Sequence, residues 1–291
     1  MDFGRLITAM VTPFDDNLQV DWKRFTELLD YLIEEQQSDS VVVAGTTGES
    51  PTVTEEEKLK LFEAAVKHAA GRYKIIAGTG SNDTAHSIHL SQAAEKLGVD
   101  ALLLVAPYYN RPSQEGLYQH FKAIAESVKI PVILYNVPGR TGVNIDASTT
   151  IRLSQIPNIV ATKDCAGTDQ LTQIVSGAAE GFKVYSGDDS AALPAMSVGA
   201  HGIVSVASHV IGKEMQSMIN YYLQGNVQEA ARLHGKSLPV FRGLFNCPHP
   251  VPNPAPVKYA LKRRGFQVGG VRLPLLNVTE EEGRFIDSLF E

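Results

Sequence analysis

The sequence predicts an α/β protein: a closed (β/α)8 TIM barrel with a C-terminal helical appendage. Three observations carry this. Eight short apolar runs alternate with stretches of helical spacing, the pattern of a parallel sheet. The first run ends in Thr12-Pro13-Phe14-Asp15, which has none of the glycines that an open dinucleotide-binding sheet carries there, and no Walker loop occurs anywhere. The alternation stops near residue 225 and only helical patterns follow.

The first strand spans residues 5–11. Asp21 can cap a helix whose apolar positions are Trp22, Phe25, Leu28, Leu29, Leu32 and Ile33, one buried face at helical spacing. Residues 40–44 form a second, buried strand stopped by Gly45. Thr54 and Glu57 make a capping box, and Glu55 and Glu56 suit the positive end of the helix they open. That helix runs to about residues 70–71. Residues 75–77 are the third strand, followed by a helix with Gly98 at its C-cap. Residues 101–106 are the fourth, and the next helix starts at Pro112-Ser113. Strands five to eight lie at 131–135, 159–162, 183–185 and 202–206. Residues 1–224 thus read as the barrel and 225–291 as a helical region, with helices at 227–245, 257–264 and 280–290. A proline-stiffened connector, Asn246 to Pro254, joins the first two. Its Cys247 and His249 are two potential metal ligands without partners and read as loop residues.

Composition sets the outer bounds. Apolar residues make up 44% and charged residues 20%, ordinary for a globular protein. A net charge of −6 offers no basic surface for nucleic acid or an anionic membrane. Two cysteines far apart suggest no disulfide framework and fit a reducing compartment. The N-terminus lacks a secretory pattern and no apolar run reaches membrane length. The expectation is a soluble, cytoplasmic protein.

Chemistry in such a barrel gathers where the strands end. Strand six closes on Lys163. On that strand alone, the lysine either points to solvent or is an amine in a dry pocket with a lowered pKa, fit to attack a carbonyl. Strand five ends in Tyr135. Neighbouring strands lie roughly 4.8 Å apart, so the phenol can sit beside the amine and shuttle protons around a carbinolamine. Arg140, on the loop beyond, offers a fork for a carboxylate. After strand two comes Gly45-Thr46-Thr47-Gly48-Glu49-Ser50, either a small anion nest or an ordinary glycine-rich loop. After strand four comes Tyr108-Tyr109-Asn110-Arg111-Pro112, and after strand seven Ser186-Gly187-Asp188-Asp189. Those two aspartates lack a further ligand and read as caps of the next helix.

Gly45-Thr46-Thr47-Gly48-Glu49, Tyr135-Asn136-Val137-Pro138-x-Arg140-Thr141-Gly142 and Lys163 together resemble the dihydrodipicolinate synthase and N-acetylneuraminate lyase superfamily, barrel enzymes that join pyruvate to a lysine as a Schiff base. The runs from Pro107 to Phe121 and from Pro254 to Lys258 resemble its dihydrodipicolinate synthase branch, and the similarity spans essentially the whole chain. The resemblance implies roles. Lys163 condenses with the ketone of pyruvate. Thr46 and Thr47 hold the pyruvate carboxylate, and Tyr135 is the general acid and base. Thr46 and Tyr109 complete a proton relay, with Tyr109 reaching in from a neighbouring subunit. Arg140 grips the carboxylate of L-aspartate 4-semialdehyde, and the backbones of Gly187 and Val204 line the pocket.

It also implies that no metal or organic cofactor is needed. The partners are small-molecule substrates, and the assembly is a homo-oligomer, a dimer or a tetramer as a dimer of dimers. Members inhibited by lysine carry histidines early in the second helix, and an asparagine and a glutamate after the third strand. This chain keeps Asn82 and Tyr108 but has Glu55, Lys58 and His86 at the other positions, which implies weak inhibition. Three competing readings stand further off. Another pyruvate–lysine aldolase acting on sugar aldehydes would offer Arg140 no carboxylate. A non-catalytic barrel would be expected to lose Lys163 or Tyr135. A phosphate-binding barrel would need glycine-rich loops after strands seven and eight, which Ser205-Val206-Ala207-Ser208-His209 is not.

Overall fold

The computed structural model describes residues 2–249 and 251–291; Met1 and, within the connector, Pro250 lie outside the described residues. Eight parallel strands close into a barrel in sequence order, with β1 pairing to both β2 and β8. They are β1 (Leu6–Ala9), β2 (Ser40–Val43), β3 (Lys74–Gly78), β4 (Ala101–Val105), β5 (Val132–Asn136), β6 (Ile159–Asp164), β7 (Lys183–Ser186) and β8 (Gly202–Ser205).

The apolar runs are continuous because both faces of each strand are buried. Val41 and Val43 pack outward against helices while Val42 packs inside the barrel; Leu102 and Leu104 face outward, Ala101 and Leu103 inward. Phe25, Phe62 and Phe121, fully buried on three different helices, fill the outer layer, each contributing on the order of 2–3 kcal/mol.

The helices begin where the local chemistry requires. Asp21 caps Trp22–Asp30 by accepting from the Arg24 N–H, Thr54 and Glu57 form the full capping box of Glu55–Ala69, and Ser113 caps Gln114–Glu126. The strands carrying Tyr135 and Lys163 run further than the sequence suggests, to Asn136 and Asp164. Those two residues pair in register, and the Asn136 amide donates to the Asp164 carboxylate at 2.9 Å, which prolongs the ladder. A register shift falls between Val132 and Ile133, where Ile159 and Ala161 are the successive partners. Val160 is the extra residue, and it resets the alternation: Ile159 packs outward but Ala161 inward.

After the helix Ser208–Leu223 come Val227–Gly243, Ala255–Arg263 and Glu280–Ser288. They do not stand apart. Val227–Gly243 packs on Ser208–Leu223, and Asn253, Lys258 and Arg272 reach back to the loop after β2. Among the described residues no helix is long and apolar enough to cross a membrane.

Candidate active site

Because the alternation is reset, Lys163 shares the inner face with Ala161 and is 5% exposed. The solvent-facing alternative is thereby excluded. Lys163 pairs in register with Tyr135 on one side and Tyr185 on the other. Its Nζ lies over the Tyr135 ring, 4.2 Å from the centroid, and makes no hydrogen bond or ion pair among the described residues. The two tyrosines differ in what their hydroxyls do. The Tyr185 hydroxyl donates to the Gly4 carbonyl at 2.9 Å, and burial pushes its pKa up, so it is spent on structure. Tyr135 lines the cavity and its hydroxyl bonds no described residue.

Room for the lysine stem comes from Gly187, whose N–H donates to the Asp164 carbonyl at 2.9 Å. A Cβ there would come within 2.8 Å of Lys163 Cε and 2.4 Å of Cys165 Sγ, so only glycine leaves the stem its course. Burial holds the neighbouring Cys165 as a thiol, its pKa raised to about 11. Val204, fully buried in the barrel interior, pairs with Ile7.

The loop after β2 keeps two successive backbone donors unpaired among the described residues, the N–H groups of Thr46 and Thr47. Ala44 (φ 54°) and Glu49 (φ 58°) flank the loop in the left-handed region, unusual for residues with a Cβ and typical of functional sites. Thr46 lines the cavity, whereas Thr47 lies deeper, and its hydroxyl accepts from the Asn253 amide at 3.0 Å.

Arg140 sits exposed on the short helix Pro138–Thr141, at the cavity wall, with no ion-pair partner among the described residues. That helix is stitched to the loop after β4: the Tyr109 N–H donates to the Thr141 carbonyl at 3.4 Å and Arg111 Nε to the Gly142 carbonyl at 3.1 Å. Tyr109 itself (φ 72°) is 91% exposed and does not line this chain's cavity. The cavity measures about 670 Å³ and runs from Tyr135, Thr46 and Arg140 outward to Lys58, Asn82 and His86. It brings together Thr46, Tyr135 and Arg140, with Lys163 against the Tyr135 ring, and leaves Tyr109 outside.

Several residues that hold the site act through bonds to residues distant in sequence. Asn136 and Asp164 follow Tyr135 and Lys163 on the outward face. The Asp164 carboxylate accepts from the Asn136 amide, the Gln170 amide at 2.8 Å and the Ala166 N–H at 2.7 Å. Burial raises its pKa, and three donors offset part of that cost. Asn136 also donates to Asn144 at 2.7 Å and accepts from the Ile145 N–H at 3.0 Å, which fixes the segment that follows Arg140. The period-two alternation past each functional residue is the signal that could have marked this pair.

Of the two aspartates after β7, only Asp188 is a helix cap, accepting from the Ser190 N–H. Asp189 is instead fully buried and accepts from the N–H groups of Val206 (3.2 Å) and Ala207 (2.8 Å) on the loop after β8. The Val206 carbonyl accepts from His209 Nδ1 at 2.8 Å, while His209 Nε2 accepts from the Val11 N–H at 3.1 Å.

These two groups respond oppositely to acid. Burial lowers the His209 pKa to about 4, so its contribution is present above pH 6.5 and is lost as pH falls toward 4. Burial raises the Asp189 pKa to about 6, so the folded state takes up a proton before the unfolded one and gains stability as pH falls from 6 toward 4. Asp189→Asn removes only the compensating group. Its urea midpoint should therefore fall more steeply than that of the parent between pH 6.5 and pH 4. Parallel or shallower behaviour would contradict the assignment.

Amine and phenol side by side at the C-terminal ends of a closed parallel barrel, with a guanidinium at the mouth that pairs with no described residue, define the class: a lyase that works on carbonyl compounds through a lysine. Residues 2–290 match the model of the Dihydrodipicolinate synthetase family, and the chain belongs to that family. It is 54% identical over 292 residues to the 4-hydroxy-tetrahydrodipicolinate synthase of Heliobacterium modesticaldum, covering 100% of this chain and 96% of that protein. A crystal structure of a dihydrodipicolinate synthase from Bacillus anthracis superposes with a TM-score of 0.96 at 54% identity, over 99% of this chain and 98% of the other. One from Cyanidioschyzon merolae, with lysine bound, gives 0.95 at 43% identity, over 99% and 97%.

Proposed function

We propose that this chain condenses pyruvate with L-aspartate 4-semialdehyde to 4-hydroxytetrahydrodipicolinate. The carrying observation is the Lys163–Tyr135 pair, with an amine free of ion pairs and a phenol open to the cavity. Lys163 adds to the ketone, and the carbinolamine loses water to give an imine, with Tyr135 moving the protons. The imine nitrogen is the electron sink for loss of a methyl proton, so the scheme needs no metal or organic cofactor. The enamine carbon attacks the aldehyde. The substrate amino group then displaces Lys163 as the ring closes, which regenerates the free amine. Thr46 and Thr47 hold the pyruvate carboxylate through N–H and hydroxyl groups, with the backbones of Gly187 and Val204 lining the pocket. Arg140 takes the carboxylate of the semialdehyde.

The choice of aldehyde is tested at Arg140. Arg140→Ala should raise KM for the semialdehyde by about 10- to 100-fold and that for pyruvate by less than about 3-fold, because a charge-assisted contact is lost on one substrate only. Equal effects, or turnover of sugar aldehydes in place of the semialdehyde, would move the reading to another pyruvate lyase.

Assembly follows from Tyr109. A large aromatic side chain held outward on a stitched loop supports a partner subunit that receives it, hence a dimer or a tetramer built from dimers. Subunit mixing tests this, as argued in the Discussion. Residues 225–291 act in this reading as a brace on the barrel. Two free cysteines and the reaction's place in amino-acid biosynthesis support a cytoplasmic location.

Feedback by lysine should be weak. A bound lysine brings an ammonium that needs a fixed carboxylate. Glu55 is already engaged by His89 at 3.1 Å and His86 at 3.5 Å, and the Lys58 ammonium, its pKa lowered by burial, lines the same end of the cavity. Titrating L-lysine into the condensation assay should leave most activity at 1 mM, roughly the scale at which a contact worth 4 kcal/mol saturates. Half-inhibition well below that would reassign the cluster.

A further inference from the structure

The hydroxyl of Thr47 has one hydrogen-bond partner among the described residues, the Asn253 side-chain amide, which donates to it at 3.0 Å. Both side chains are buried, Thr47 at 3% and Asn253 at 5% exposure. A hydroxyl has one proton and two lone pairs. Once a lone pair accepts from an amide N–H, the proton is directed elsewhere and is available to donate. Left free, the same hydroxyl can turn a lone pair toward an arriving carboxylate, which repels it.

We propose that Asn253 is a positioning residue that sets the polarity of the Thr47 hydroxyl, so that its proton faces the pyruvate carboxylate. The inference rests on the reading of Thr47 as a carboxylate donor given above.

Two further observations support it. First, Asn253 and Thr47 sit on one frame. Glu49, two residues past Thr47, is bonded at 2.7 Å to Lys258, five residues past Asn253, and both partners are buried. The approach of amide to hydroxyl is therefore held from both chains. Second, Asn253 Oδ1 is buried without a partner among the described residues. Turned over, the amide would offer that oxygen to Thr47 but bury both of its N–H donors unpaired, whereas the present orientation leaves one N–H and the oxygen, and an orphaned N–H is the rarer of the two. The orientation with the N–H toward Thr47 is the less costly one.

The two orientations predict different results for Asn253→Asp, which keeps the shape but at neutral pH can only accept. If the amide donates to Thr47, the new carboxylate captures the Thr47 proton and turns lone pairs on the substrate. If the amide oxygen accepts from Thr47, the carboxylate keeps that bond and opposes pyruvate only through its charge, a cost that Thr47→Val does not remove.

The experiment measures KM for both substrates in Thr47→Val, Asn253→Asp and Asn253→Ala, with melting curves for each. Thr47→Val and Asn253→Asp should each raise the pyruvate KM by about 10- to 100-fold at pH 8, and Asn253→Ala by about 3-fold. The semialdehyde KM should stay within about 2-fold in all three. Relative to the parent at each pH, the Asn253→Asp defect should shrink toward pH 6, because a protonated carboxyl donates again. Adding Asn253→Asp to Thr47→Val should cost nothing more.

An alanine variant worse than the aspartate variant, equal rises for both substrates, or a defect indifferent to pH would make Asn253 structural and overturn the inference while leaving Thr47 as carboxylate donor. A Thr47→Val enzyme with an unchanged pyruvate KM would overturn that reading of Thr47, and the inference with it. Should the aspartate variant not fold, Asn253→Ala decides: a rise confined to pyruvate supports the inference, and its absence ends it.

Discussion

Replacing Lys163 with alanine is expected to lower kcat/KM for condensation by at least about 10³-fold, because the other amine lining the cavity, Lys58, lies at its outer end, away from Tyr135. The fold should survive. The lysine makes no hydrogen bond or ion pair with described residues, and the change removes a buried amine together with its stem. Borohydride added with pyruvate should trap one adduct per chain, on Lys163, and abolish activity. An adduct on Lys258, the other buried lysine, would end this account. The same variant tests the assembly. If Tyr109 serves the neighbour's site, mixing Lys163→Ala with Tyr109→Phe subunits should restore activity, since each mixed dimer then holds one site with both groups intact. Verified mixed dimers without recovery would place the relay within a single chain.

Lys163 also shows where local reading of a sequence stops. Its place at the end of a buried strand is visible from Ile159 onward, but its direction is not. With unbroken alternation Lys163 would face the same way as Ile159, which packs outward. The extra residue at Val160 turns Ala161 and Lys163 inward, and that irregularity belongs to the pairing with β5 and not to β6 alone. The fold was legible because apolar runs, caps and glycine stops are local. Thr54 and Glu57 are spaced three residues apart, as are Asp21 and the Arg24 N–H that it caps, and the three capping residues behave as the sequence suggests. Asp189 was misread for the converse reason. A carboxylate just before a helix looks like a cap, whereas its real donors lie 17 and 18 residues downstream on the next strand's loop. The frame behind Thr46 and Thr47 was out of reach altogether. Its bonds join residues 206 and 209 positions apart, and no periodicity relates such pairs.

That frame carries the largest expected effect on stability. Lys258 Nζ donates to Glu49 Oε1 and to the Gly270 carbonyl, each at 2.7 Å, and both charged side chains are 2% exposed or less. Glu49 Oε2 accepts from the Arg272 N–H at 2.9 Å. The Phe14 ring has the Lys258 ammonium at 4.1 Å and the Arg272 guanidinium at 4.3 Å from its centroid. Lys258→Ala strands the Glu49 carboxylate in a site it cannot leave, because Glu49 closes the loop that bears Thr46 and Thr47. The expected loss is about 3–5 kcal/mol in urea unfolding. The attraction does not make the pair a net gain, however. Burial pulls the Lys258 pKa down to about 8 even with Glu49 beside it, so desolvation outweighs the charge–charge attraction. Replacing both partners, as Glu49→Gln with Lys258→Met, removes the two charges together and should cost less than about 1 kcal/mol. The single variant should also raise the pyruvate KM, since that loop is no longer held in place, while the double variant should restore most of it. A single variant as stable as the double would mean that the loop relaxes and lets water reach Glu49, and the brace would then lie in the apolar packing of the C-terminal helices.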